Sequence, residues 1–212
     1  MKNLAYWTEQ ILPLAWVYFA FAMSWRTWRV LRRPMKGDLA VPRGDANYGA
    51  LYALTFAMLP WKKESTRTHW MTYTAGMLMH LGVFSAVLFA VARLVHFGDL
   101  FMAPVVLGLG TVGLAMAVGL FIKRMVRSDM RAISSPDDFI SNFLVDFYLL
   151  GAVLTAYEGG LIGLWRLSVI LLLFWIPLGK IYHMVLFFVS RLLFGWQFGR
   201  RGVIRHAKPI TY

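Results

Sequence analysis

The chain has no cysteine among its 212 residues. Iron–sulfur clusters, disulfides and thiol chemistry therefore lie outside its own repertoire, and any such centre must sit on a partner. Charge is scarce as well: charged residues make up 15%, where soluble domains carry about a quarter. Acidic side chains are the scarcer sign, 10 against 22 basic, leaving a formal net charge of +12. Internal repeats, low-complexity tracts and the alternating pattern of a barrel strand are all missing.

What is there is apolar. Hydrophobic residues make up 59%, aromatics 16%, and the mean hydropathy is +0.59. A water-soluble fold of this size cannot bury that excess. We expect an all-α integral membrane protein, because helices satisfy their own backbone hydrogen bonds in lipid. A span needs roughly 20 apolar residues to cross about 30 Å of hydrocarbon. Five runs qualify: about 11–31, 70–95, 101–122, 139–157 and 168–194. The expected architecture is a single domain over 1–212, a five-helix transmembrane bundle with a loop at 32–69 and a tail at 195–212. The first run lacks a small-residue cleavage site and ends in a basic cluster, which favours a retained helix over a signal peptide.

The basic residues alternate in a way that excludes nucleic acid as the explanation of the charge. Arg26, Arg29, Arg32, Arg33, Lys36 and Arg43 follow the first run, and Lys62, Lys63 and Arg67 precede the second. Lys123, Arg124, Arg127 and Arg131 follow the third, and Arg191, Arg200, Arg201, Arg205 and Lys208 close the chain. The opposite ends carry only Lys2, Arg93 and Arg166. By the positive-inside rule this places the amino terminus outside, with the loop and the carboxyl terminus in the cytoplasm.

Between the runs, "ALYALTFAMLPW" in the loop is too short to span and should lie in the interface or pack against another subunit. In "RAISSPDDF", Ser135 should cap a helix, Pro136 suits its first position, and Asp137 and Asp138 complement its dipole. Gly110 and Gly113 in the third run permit close helix approach.

Five histidines remain: His69, His80, His96, His183 and His206. Polar side chains at bilayer depth are costly and mark functional sites. His80, in "GMLMHLGVF", lies ten residues beyond Trp70, or about 15 Å along a helix. His183, in "GKIYHMVLFF", precedes Arg191 by eight residues, about 12 Å. Two imidazoles at one depth on antiparallel helices suit a planar haem held by two axial ligands. Gly76, Gly82 and Gly179 stand beside them and would let a flat ring approach the backbone. A hydrogen bond to a neighbouring helix is the plain alternative for either histidine alone. Lys180, three residues before His183, is expected on the same face as a partner for a haem propionate or a quinone oxygen. His69, eleven residues before His80, reads as an interfacial or propionate-side residue, and His96 as an outer-surface one. A second ligand pair is not found: the positions it needs hold Ala90 and Trp165. One haem is supported and a second left open.

The residues "HLGVF", "KRMVRSDMRAISSPDDF" and "IPLGKIYH" resemble the gamma subunit of respiratory nitrate reductase, a five-helix membrane cytochrome b. "AMLPWKKESTRTHW" and "RLLFGWQFGRRGV" are closer still to the cytochrome b subunits of Hmc-, Tmc- and Dsr-type redox complexes of sulfate-reducing bacteria. The resemblance covers nearly the whole chain. It implies a subunit of a respiratory complex in the bacterial inner membrane, with haem b on His80 and His183. Electrons would pass between the quinone pool (menaquinone) or a neighbouring membrane subunit and a cytoplasmic iron–sulfur partner. Ala90 and Trp165 stand where the nitrate reductase type has its outer haem ligands. Two other functions are weighed against this: a haem-free anchor docking a cytoplasmic redox protein, and a small transporter. The transporter would need Asp146 and Glu158, and it lacks an inverted repeat.

Overall fold

The structure is a computed structural model that describes residues 2–33, 41–62, 66, 68–94 and 99–204. His96, His206, Lys36, Lys63, Arg67, Arg205 and Lys208, to which the sequence assigned roles, lie outside the described residues. Every regular element among the described residues is helical: α1 (Lys2–Leu31), α2 (Ala46–Leu54), α3 (Trp70–Leu94), α4 (Asp99–Val105), α5 (Thr111–Val126), α6 (Ser128–Ile133), α7 (Pro136–Tyr157), α8 (Ile162–Trp175) and α9 (His183–Arg200), with short 3-10 turns between some of them. Four stretches are long and apolar enough to cross a membrane: Trp70–Arg93, Phe101–Val126, Pro136–Tyr157 and Lys180–Arg200. α1 has 30 residues but is not one of the four. The chain divides into two compact units, one of residues 1–22 and 71–181, the other of 23–70 and 182–212.

In the first unit the helices meet where side chains are smallest. Lipid offers no hydrophobic force between helices, so close van der Waals contact must hold them. Gly82 of α3 lies against Gly113 of α5; a Cβ on Gly113 would come within 2.6 Å of the Gly82 Cα. A turn or more away, the Lys123 ammonium bonds the Thr72 hydroxyl, so α3 and α5 run antiparallel. Gly110 meets Val153 of α7, and Gly151 of α7 meets Trp165 of α8. The close approach expected at Gly110 and Gly113 is found. α1 runs parallel to α8: Ala5 touches Gly163, Arg166 bonds Glu9 at 2.8 Å, and Tyr18 stacks on Phe174. Between Pro104 and Thr111 the ladder widens into a π turn, Val106–Gly110. Proline supplies no N–H to the ladder, and irregular turns of this kind are how spanning helices absorb it.

The expected motif before α7 forms. Asp138 accepts hydrogen bonds from the Ser135 backbone N–H at 2.8 Å and from its hydroxyl at 2.9 Å, and Pro136 takes the first position. The fifth expected run differs. Residues 168–194 are not one helix: α8 ends at Trp175, turns fill 176–179, a 3-10 turn spans Lys180–Tyr182, and α9 begins at His183. Pro177 cannot donate to the ladder. The last α-type bond before it runs from the Ile176 N–H to the Leu172 carbonyl, and the Leu178 and Gly179 N–H groups fold back on Trp175.

In the second unit α2 packs antiparallel on α9. Asp45 caps α2 through the N–H groups of Asn47 and Tyr48. Gly49 is pressed against Gly195 and Gly199, and Ala53 against Gly195. The N–H groups of Arg43 and Gly44 both reach the Arg200 carbonyl, at 2.9 and 3.1 Å. Gly202, at φ +70°, then ends the segment, its N–H donating to the Gly199 carbonyl and that of Val203 to the Phe198 carbonyl. The segment expected to lie in the interface or on another subunit thus packs, over its helical part, on its own chain.

Gly49→Val should overpack this contact, lowering thermal stability in detergent by an amount in the ~1–3 kcal/mol range and speeding proteolysis within 41–62. Gly119→Ala, with nothing within 4 Å of the added methyl, should leave both unchanged.

Candidate functional site

His80 sits in the middle of α3, ten residues from its start. Its Nδ1 lies 2.7 Å from the Gly76 carbonyl one turn earlier. A carbonyl can only accept, so Nδ1 is the donor and carries the hydrogen. That leaves Nε2 with its lone pair in the neutral ring, and Nε2 has no partner among the described residues. The ring is exposed on a face otherwise made of Met77, Leu81, Phe84 and Leu88, 44–58% exposed. Gly76 has open space where a Cβ would stand. Of the three glycines expected to admit a macrocycle, it alone is open. Gly82 is spent on the contact with Gly113, and a Cβ on Gly179 would come within 2.5 Å of Asp137 and Trp175.

His183 belongs to the second unit, whereas His80 belongs to the first. His183 is the first residue of α9, exposed, and followed by exposed Met184 and Phe188. Tyr182, directly before it, carries the Arg26 guanidinium 4.3 Å above its ring centroid. His69 is exposed, one residue before α3 begins.

Lys180 is held differently from the sequence expectation. Its ammonium donates to Asp138 at 2.6 Å and its backbone N–H to Asp137 at 2.8 Å. Both carboxylates lie in the first turn of α7, so Lys180 is level with that end rather than deep in a helix. Arg124 also approaches Asp138, at 3.5 Å, and bonds Ser134 at 3.0 Å. Asp137 further accepts from Ser141, which accepts from the Trp175 indole at 2.9 Å. Nearby, two bonds from Arg127 hold the Asp129 carboxyl below its usual range.

Trp165 and Ala90 lie in the core of the first unit. Trp165 is 4% exposed and stacks on Phe89, itself 1% exposed, at 5.1 Å; Ala90 packs against the same cluster. Side chains fill this place. Asp146, in mid-α7, keeps one oxygen buried without a partner among the described residues, as do Thr155 Oγ1 and Trp165 Nε1. No group of three metal-ligating side chains occurs among the described residues.

Sequence reasoning missed the Arg26–Tyr182 contact and the link from Asp137 and Asp138 to residue 180. The first had no signal beyond Arg26 being the innermost basic residue after the first apolar run. The second had one, because a capping box uses a single carboxylate and "PDD" carries two.

Asp138→Ala should cost about 1–3 kcal/mol of stability, the range for charged hydrogen bonds lost from a partly buried group, read by thermal unfolding in detergent. Asp129→Ala, at an exposed pair, should cause no measurable change. No protein-family model, curated protein or solved structure matches the chain.

Proposed function

We propose that the chain is a haem b electron-transfer subunit of a multi-subunit respiratory complex in the bacterial inner membrane. One observation carries this: a mid-span imidazole, exposed on an apolar helix face, with one nitrogen tied to its own helix and the other left open. Facing lipid alone, that nitrogen would be an unsatisfied polar group in hydrocarbon, which is costly. A hydrogen bond from the far nitrogen to a backbone carbonyl is the usual support of a metal-ligating histidine, since it fixes tautomer and ring orientation. His80 therefore fits an axial ligand, and the open space beside Gly76 fits a flat group. His183, exposed at the head of α9, is the second ligand. One haem is proposed. Its iron, cycling between ferric and ferrous states, would supply the one-electron carrier, while the chain supplies the ligands, the apolar surroundings and nearby charge.

Five crossings are proposed: α1, α3, α4 with α5, α7, and a fifth within residues 168–194. The parallel run of α1 along α8 agrees with both starting outside. Arg26, Arg29, Arg32 and Arg33 at the end of α1, and Arg200 and Arg201 at the end of α9, then mark the cytoplasm. The partners are a cytoplasmic iron–sulfur subunit and other membrane subunits, with quinone as the membrane-side redox partner. The resemblance to the membrane cytochromes b supports this assignment.

The purified protein reduced with dithionite should show b-type absorption, abolished in His80→Ala and in His183→Ala. Full haem retention in either variant removes that ligand. A protein purified colourless from haem-replete cells leaves the haem-free anchor.

A further inference from the structure

We propose that α2 dips into the bilayer beside the carboxyl-terminal part of α9, with Arg43 and Arg200 at their shared end on the phosphates of anionic lipids. The proposal stands apart from the haem reading. Lys180–Arg200 is one of the stretches long and apolar enough to cross a membrane, and α2 packs antiparallel along its last turns. One face of α2 is spent on that contact, through the buried Gly49, Ala50 and Ala53. The other side is apolar and open: Leu51 is 60% exposed and Phe56, in the turn that follows, 57%. Alongside, α9 exposes Leu192, Phe194 and Trp196. Large apolar side chains gathered on one helix pair mark a surface that lipid or protein covers.

Two features favour lipid. The rings of Tyr48, Tyr52 and Phe56 follow one another along α2, with 6.2 and 6.3 Å between centroids. Their polarity falls in one direction, two phenols and then a bare ring. Tyrosines stand at headgroup level in membranes, with plain hydrocarbon deeper, whereas a protein contact has a polar rim around its core. The charge is of one sign and lies at the phenol end. The N–H groups of Arg43 and Gly44 bond the Arg200 carbonyl, which puts both arginines at the start of α2. Asp45 is the sole acidic side chain among the described residues of this unit, and its carboxylate is taken by the N–H groups of Asn47 and Tyr48. At nine residues α2 is about 13 Å long, close to half of the ~30 Å of hydrocarbon. The turn beyond it keeps its backbone bonded, as lipid requires: the N–H groups of Thr55, Met58 and Leu59 donate to the carbonyls of Leu51, Thr55 and Phe56.

Because the chain has no cysteine, one introduced thiol labels the full-length protein at a single place. Leu51→Cys and Phe56→Cys, each carrying a nitroxide, are reconstituted in nanodiscs of phosphatidylcholine and phosphatidylglycerol. Both labels should collide more with oxygen, which concentrates in lipid, than with a water-soluble nickel chelate, and Phe56→Cys should read deeper than Leu51→Cys. A fluorophore on Asn47→Cys, one turn from Arg43, reports which lipid gathers there. Phosphatidylglycerol with a nitroxide high on one acyl chain should quench it as strongly as about five times as much phosphatidylcholine labelled in the same way, the preference expected of one arginine near the surface. Arg43→Gln should remove most of that preference, and Lys62→Gln, beyond the other end of α2, should keep it. If Arg43→Gln does not accumulate, Arg200→Gln takes its place. Labels that favour the nickel chelate, or that protein shields from both reagents, overturn the proposal. So does equal quenching by the two lipids, or a preference that survives loss of the arginine.

Discussion

The chain between α8 and α9 is held by two carboxylates on another helix. Pro177 ends the ladder of α8, and an unsupported break at that point would leave several backbone N–H groups without partners in or near lipid, where each is costly. The Leu178 and Gly179 N–H groups are satisfied by the Trp175 carbonyl, and that of Lys180 by Asp137. Asp138 takes the Lys180 ammonium while also closing the cap of its own helix. The same first turn of α7 therefore caps its own helix and satisfies the chain at Lys180. The division between the two units falls at 181 and 182, directly after this anchor.

Glycine governs the remaining contacts, and for one physical reason. Helices in lipid gain from contact only what dispersion and hydrogen bonds give, so the distance of closest approach sets the strength. At the Gly82–Gly113 contact the two backbones approach within a distance that no Cβ tolerates. Gly49, Gly195 and Gly199 do the same in the second unit. Gly76 and Gly119, by contrast, have open space where a Cβ would stand. A glycine at a helix contact and a glycine facing open space look alike in a sequence, and only the second can leave room for a bound group.

That ambiguity marks the limit of what was legible beforehand. Long apolar runs are governed by bilayer thickness alone, so α3, α5 and α7 were visible within a few residues. The cap at Ser135 was visible because it is local. The fifth run was misread because mean hydropathy does not register a break: "FWIPLGK" stays apolar until Lys180 while its backbone turns. The pairing of α2 with α9 depends on "GWQFG" meeting Gly49, about 150 residues away in the chain, and no local pattern reports that. Lys180 was expected on the face of His183 because an unbroken helix would have carried it there. His80 was singled out because an imidazole among apolar neighbours is costly whichever helix it occupies.

The polar groups of the first unit are also unevenly distributed. Around Trp165, aromatic and aliphatic side chains fill the core, with Phe89, Val106, Leu149 and Ala152 all 1% exposed or less. A macrocycle placed there would have to displace a packed cluster, and interiors at this density do not yield such a volume without losing the contacts that hold the helices. His80 lies elsewhere, nine residues before Phe89 on α3 and on the face that is not packed. The helix thus has one side committed to packing, along Gly82, Ser85, Ala86 and Phe89, and another left open, along Met77, His80, Leu81 and Phe84. The open side of this helix thus carries one imidazole, oriented by the Gly76 carbonyl, among exposed apolar side chains. An additional lipid tail would leave Nε2 unsatisfied, whereas a metal-centred ring would satisfy the nitrogen and cover the apolar surface around it.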